Sequence, residues 1–431
     1  MSARLGAVLA ATLLVLAYAI AFWPGYMSFD SASQYGQALA GAYNTHHPPL
    51  MAMLWSITDQ IIEGPGGLVL LHLLAYGAGL CMLLIACRLP GWVSVLVAVL
   101  LTLWPANLAI LPYAWKDTGQ VAFLVLAAGA IALQTRSASR WLLLLVFVAL
   151  AVATAYRPLG VLATGPLAIL SIRLAKLSWP KVSGAVAIVT LAVLPSLIAL
   201  HPAVKRLDMF AQVGLWDVFM TGVHAGLNLV PDEVVAFPMS IEQQRAAANP
   251  HYSVPVYIQM PLTGDLLNPQ PGQIESVKRA WKTAVTEHPW AYLQHRVDVS
   301  MELFGVTSSA QPQDSITAGR EMVALPGQPV FAKPSGRLAD VSTAWLKSMT
   351  HSLFYRPWAY LLLAVWPLWW AWQRRELPLA QLALWVAASG LLAVALLPAA
   401  APSTTFRYMY WFSTALVMSS GLGVLVRVRR G

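Results

Sequence analysis

Along this 431-residue chain, long apolar runs alternate with short polar loops, except across one stretch near the middle. A helical apolar run crosses a hydrocarbon core of about 30 Å at about 1.5 Å per residue. By that measure the pattern predicts ten spans, at 4–23, 67–87, 92–111, 118–134, 141–156, 158–174, 182–200, 353–372, 378–397 and 409–426. Residues 48–63 (PPLMAMLWSITDQIIE) are too short to cross and contain Asp59 and Glu63, so they read as an amphipathic helix in the outer interface. The fold expected is all-α and integral to a membrane. It has about ten transmembrane helices, an interfacial helix in the first outer loop, and a mixed, mainly helical periplasmic insertion.

The pattern divides the chain into three parts. Residues 1–200 form a seven-span membrane core whose first outer loop, 24–66, carries the densest polar pattern. Residues 201–350 are a polar insertion rich in Pro and Gln that holds 13 of the 18 acids, which places most of the negative charge outside the membrane. Residues 351–431 return as a three-helix membrane block. Inside the insertion, 273–287 and 290–305 read as amphipathic helices split by His288-Pro289. Ile274, Val277, Trp281, Ala284 and Val285 share one face of the first. The Pro- and Gly-bearing stretch 311–340 reads as loop. The first run resembles a signal peptide, with Arg4 ahead of it and Ala17-Tyr18-Ala19 near its end, but its length favours an uncleaved anchor.

Composition agrees: 58% of residues are hydrophobic and only 10% charged, which excludes an ordinary soluble domain. Charge sets the orientation. An N-terminus inside gathers Arg4, Arg88, Arg136, Arg140, Arg173, Lys176, Lys181, Arg374, Arg375, Arg427, Arg429 and Arg430 on the cytoplasmic side, as the distribution of basic residues in membrane proteins requires. Both termini are then cytoplasmic. The net charge of +9 reflects loops facing anionic lipid and calls for no nucleic acid. Cys81 and Cys87 both fall in the second span, so the insertion has no disulfide. No internal repeat and no mid-span charge appear, which counts against a transporter.

Against that distribution, Lys116, Arg157 and Arg407 stand in short loops on the outer side, each at the mouth of a span. Snorkelling to headgroups would serve equally well inside, so it does not explain the side; a bound anion does. Asp30 and Asp117 share that face. Asp30 has a plain structural role open to it as the N-cap of a helix over 31–41, and Lys116–Asp117 could be a simple interfacial ion pair. His46 and His47 begin the interfacial helix and are assigned to a substrate loop. Adjacent histidines do not share a helical face and no carboxylate sits at ligand spacing, so they make no metal site. No metal is called for, although Asp30, Asp117 and a phosphate could share a divalent ion. Of the 18 tryptophans, Trp23, Trp104, Trp115, Trp358, Trp366, Trp369 and Trp370 read as an aromatic belt at span ends.

An Asp soon after the first span, a His-Pro-Pro-Leu element opening an interfacial helix and an Asp opening a later span together resemble GT-C glycosyltransferases. The likeness is to the branch of protein O-mannosyltransferases and lipid A aminoarabinose transferases. The resemblance implies that Asp30 is the catalytic acid of the first outer loop. It matches Pro48, Pro49 and Leu50 to the Pro-Pro-Leu element, Asp117 to the Asp at the start of the fourth span, Arg157 to a basic residue between the fifth and sixth spans, and Arg407-Tyr408 to an Arg-Tyr opening the last span. It covers most of 1–200 and the last 30 residues, not the insertion. Asp30 departs from the family pattern in being followed by Ser31 rather than a second acid, and the chain is shorter than many relatives.

What the resemblance implies is inverting transfer of a sugar from a polyprenyl-phosphate donor to a glycan, lipid or protein acceptor at the outer membrane face. Lys116, Arg157, Arg407 and Tyr408 would hold the donor phosphate, Asp30 would take the acceptor's hydroxyl proton, and Asp117 would orient the acceptor or a cation. Two other readings stay open. An O-antigen ligase or polymerase would place its key residues in the large loop, as Arg296 and His288. A non-enzymatic flippase or binding protein for lipid-linked glycans would need the cations but not Asp30.

Overall fold

The computed structural model describes residues 1–137, 139–157, 160–175, 197–264, 271–307 and 320–428. The chain is mostly helical with little sheet. Five helices are long and apolar enough to cross a bilayer: Ala3–Phe22, Pro65–Cys87, Lys116–Gln134, Pro378–Ala400 and Phe406–Val428. Gly91–Leu103, Arg140–Tyr156 and Val161–Leu174 are apolar but shorter. Of the ten expected spans, 182–200 lies outside the described residues up to position 196.

In chain order, α1 (Ala3–Phe22) leads to α2 (Phe29–Ala40), a short strand β1 (Tyr43–Asn44), the interfacial candidate α3 (Leu50–Asp59) and α4 (Pro65–Cys87). Then come α5 (Gly91–Leu103), α6 (Pro105–Ile110), α7 (Lys116–Gln134), α8 (Arg140–Tyr156), α9 (Val161–Leu174) and β2 (Val204–Lys205). The run expected as one span at 92–111 is two helices because Pro105 lacks the N–H that the Leu101 carbonyl needs four residues back. The Asn107 side-chain amide supplies it instead, donating to Leu101 O at 2.8 Å, while Asn107 Oδ1 accepts from Tyr410 OH at 2.8 Å. The helix expected over 48–63 is limited to Leu50–Asp59.

The remaining helices are α10 (Phe210–Ala225), α11 (Ile241–Ala247), α12 (Ser253–Gln259), α13 (Pro271–Glu287), α14 (Pro289–Leu303), α15 (Arg337–Met349), α16 (Pro357–Gln373), α17 (Pro378–Val394), α18 (Leu397–Ala400) and α19 (Tyr410–Val428). The stretch expected to be loop through 340 turns helical at Arg337, and its positions 311–319 lie outside the described residues.

Two compact units result. One comprises Met1–Lys205, Gln313–Ala393 and Arg407–Gly431, the other Arg206–Pro312 and Val394–Phe406. In the first, α4 and α7 approach closely through glycine. A Cβ on Gly79 would run into the Val125 carbonyl, and one on Gly129 into the Gly79 carbonyl. Small residues at such crossings let two backbones touch. β1 and β2 pair in parallel, Tyr43 with Val204 and Asn44 with Lys205.

The second unit is built on α10. Trp216, Phe219, Met220, Val256, Val277 and Val299 form its buried apolar centre. Val277 and Ala284, on the face expected of the first insertion helix, are buried. Charge is buried here as well. Asp217, 1% exposed, sits 2.5 Å from Arg296 Nη2 and 3.3 Å from His295 Nε2, and accepts from Trp281 Nε1 at 2.9 Å. Arg296 Nη1 donates to the Ala401 carbonyl at 3.2 Å.

Candidate functional site

The site grows from the start of α2. Ser28 caps the helix: its Oγ accepts from Ser31 N, and Ser31 Oγ accepts from Ser28 N at 3.1 Å. The expectation that Asp30 would be the cap is therefore corrected. Asp30 is the second residue of the helix, and its carboxylate is free to reach elsewhere. Two further bonds stitch this turn to the start of α7. Ser31 Oγ donates to the Ala114 carbonyl at 2.9 Å and Trp115 Nε1 donates to Ser28 Oγ at 2.8 Å. Just upstream, Tyr26 N donates to Pro112 O and Ala114 N to Tyr26 O. Segments 26–31 and 112–117 thus run side by side, and both helix starts, whose free amides favour negative charge, present an acid in the first turn.

Around those two acids the structure gathers the three basic residues assigned to the outer side, Lys116, Arg157 and Arg407. Arg407, in the 3₁₀ turn Phe406–Met409, donates Nη1 to Asp30 Oδ2 at 2.7 Å. Arg157, capping the end of α8, donates Nη1 to Asp117 Oδ1 at 2.6 Å. Lys116 Nζ lies 2.8 Å from His47 Nδ1, and His47 Nε2 lies 3.8 Å from Asp30 Oδ1. The Tyr408 ring is within cation–π reach of both guanidinium groups, 5.0 Å from Arg157 Cζ and 5.4 Å from Arg407 Cζ. His46 packs against His47 with the rings tilted and their centroids 4.3 Å apart, and its amide donates to Asn44 Oδ1.

The electrostatics follow from the contacts. Burial alone would raise the Asp30 carboxyl, but the Arg407 guanidinium, with the Lys116 ammonium behind it, outweighs burial and holds Asp30 well below the usual carboxylate range. Burial, then the Lys116 ammonium, pushes His47 well below its ordinary value, and Asp30 only partly offsets them. His47 is therefore neutral. A lysine ammonium only donates, so His47 Nδ1 is the acceptor and the ring proton sits on Nε2, aimed at Asp30.

Three cations face two carboxylates, an excess of one positive charge. Asp30, Arg157 and Arg407 have side chains 26%, 21% and 15% exposed, sheltered yet reachable, whereas Asp117 is 2% exposed. Arg407 Nε and Asp117 Oδ2 are buried without a hydrogen-bond partner. A positive, partly sheltered cluster with an unused guanidinium N–H suits an oxyanion such as phosphate. Each acid faces a separate guanidinium, and among the described residues no group of three or more His, Cys, Asp or Glu is arranged to hold a metal ion.

Two contributors escaped the sequence reading. Trp115, taken for a belt residue, is buried at 5%, stacks on Tyr113 with centroids 4.0 Å apart and lies 5.4 Å from Arg407 Cζ, so it backs the site. Trp104 is likewise buried, donating to Tyr360 OH, while Trp23, Trp366 and Trp369 are exposed as a belt requires. The second is Arg320, buried at 2%, which donates to the Leu108 carbonyl at 2.7 Å and to Tyr26 OH at 3.4 Å. Beyond it, Met27 N donates to Glu321 O and Val323 N to Met27 O, and Gln328 Nε2 donates to Ala32 O. Residues 320–328 thus strap down the segment that carries Asp30. Only a lone Arg among loop residues hinted at this.

The same unit also holds two adjoining, half-open apolar clefts of about 420 and 680 Å³, which share Leu100, Leu101, Trp104 and Val417 as a common wall. None of the protein-family models matches this sequence, and no curated protein or solved structure is detectably similar to it.

Proposed function

We propose that the protein is an inverting glycosyltransferase that moves a sugar from a polyprenyl-phosphate donor to a glycan, lipid or protein acceptor. In this reading the chain spans a bacterial cytoplasmic membrane about ten times, with both termini inside and the acids and cations on the outer face. The observation that carries the proposal is the convergence of Asp30, His47, Lys116, Asp117, Arg157, Arg407 and Tyr408 in one partly sheltered cluster with a net positive charge. A lipid phosphate is already a good leaving group, so the reaction needs cations more than a strong acid. Arg407 and Arg157 stabilise the charge that grows on the phosphate as the glycosidic bond breaks, and Lys116 adds a third positive charge. Asp30 stays ionised and accepts the proton of the attacking hydroxyl, a role typically worth about 10²–10⁴-fold in rate. The apolar clefts supply walls of the kind a polyprenyl tail requires.

Turnover by purified protein in nanodiscs, offered a panel of undecaprenyl-phosphate sugars and scored by release of undecaprenyl phosphate, tests the reading. Release should vanish in Asp30→Asn, an isosteric change that removes only the charge, and weaken in Arg407→Ala. Retained turnover in Asp30→Asn would sink the assignment of the base. Transfer of lipid-linked glycan across the bilayer that survives the same change would favour the flippase reading. The arginine a ligase-like reading needs, Arg296, is 5% exposed and already ion-paired to Asp217, which favours a structural role for it.

A further inference from the structure

Helix α14 is turned inside out relative to a normal amphipathic helix. Three of its four His, Arg and acidic residues, His295, Arg296 and Glu302, are buried, facing Asp217, the Ala401 carbonyl and His251, and the fourth, the half-exposed Asp298, turns to His224 at 3.6 Å. Its exposed positions are Pro289, Trp290, Leu293, Gln294, Val297 and Met301. Trp290, Leu293, Val297 and Met301, at 81%, 48%, 46% and 40% exposure, recur at helical spacing and form one uncharged stripe. Elsewhere in the same unit, α12 exposes Val254 and Ile258. An exposed stripe of this kind, left open at the cost of burying three ionisable groups, marks a surface that meets something apolar.

What it meets is indicated within the same unit. The segment 394–406 includes Leu397–Ala400, the last turn of the candidate span Pro378–Ala400, and ends where the candidate span Phe406–Val428 begins. Arg296 bonds to Ala401 in that segment, so α14 is fastened, within its own unit, to the stretch of chain that links two candidate spans. A tryptophan at one end of an aliphatic stripe is the composition favoured where hydrocarbon meets headgroups. We infer that α14 lies in the membrane interface, with Trp290, Leu293, Val297 and Met301 inserted among the lipids. This surface is independent of the proposed chemistry.

The test uses the full chain in nanodiscs, with Cys81→Ala and Cys87→Ala as background and an environment-sensitive fluorophore on Leu293→Cys, Val297→Cys or, as control, the exposed Lys282→Cys on α13. Labels at 293 and 297 should be blue-shifted, quenched by lipids brominated on the acyl chain and protected from aqueous iodide, with the reverse at 282. Two labelled stripe positions guard against one variant failing to fold. Equal iodide quenching at all three positions would overturn the inference. So would protection at 293 and 297 from both quenchers, which would indicate a protein partner or a second copy of the chain.

Discussion

Arg407 has two tasks that compete for one side chain. It holds Asp30 through Nη1 and leaves Nε free, so a planar fork serves both the carboxylate and a phosphate where a point charge cannot. Arg407→Lys should therefore lower kcat/KM by roughly 10- to 100-fold, the equivalent of one charge-assisted hydrogen bond, in the nanodisc assay. His47 gives a pH prediction. Free imidazole titrates near 6.5, and burial and Lys116 keep His47 neutral well below that. Between its folded value and about 6.5 the unfolded chain binds more protons, so this contribution to stability is present above about 6.5 and falls as pH drops through that window. Asp30 behaves differently: its contribution is full above the ordinary carboxylate value and is lost only as pH falls through the lower folded one. Turnover should accordingly show no inflection near pH 6.5 in either the parent or His47→Gln. An inflection that disappears in His47→Gln would mean that the ring charges and the tautomer assigned here is wrong.

At the scale of elements, the stitching of α2 to α7 depends on Ser28, which accepts from both Ser31 N and Trp115 Nε1. Ser28→Ala should cost about 1 kcal/mol in thermal unfolding, as lost caps do, and reduce turnover far less than Asp30→Asn. Arg320→Gln should release the strap, seen as faster hydrogen exchange at the Met27 and Val323 amides, whose partners lie across the pairing it anchors. These elements also show what could be read from sequence. Apolar runs announced α1, α4, α7 and α19 because their period and length are local properties. The break of 92–111 at Pro105 was readable in principle from the missing N–H. The role of Asp30 was not, since it depends on an arginine 377 positions away rather than on the cap three residues long. Arg320 was hidden for the same reason, and the face of α14 because periodicity shows that a helix is two-sided without showing which side is buried.

At the scale of the whole molecule, buried charge secures the second unit. Asp217→Asn leaves Arg296 without its counter-charge, and removing one partner of such a pair typically costs about 3–5 kcal/mol. Limited proteolysis within 206–312 should speed up accordingly, while replacing Asp217 and Arg296 together with leucine should cost much less than the single change. In the first unit the glycine crossing of α4 and α7 has the opposite character, since backbone touching backbone leaves nothing to compress. Lys116 and Asp117 stand at the end of α7 and so inherit that stiffness. Asp30, His47 and Arg407 stand on a short helix, a loop and a 3₁₀ turn. Under the proposed function, a site with one fixed wall and one adjustable wall can change its clientele without touching its foundations. Variants that accept a bulkier substrate should therefore arise around residues 28–47 and at 407–408, and almost never at Gly79 or Gly129.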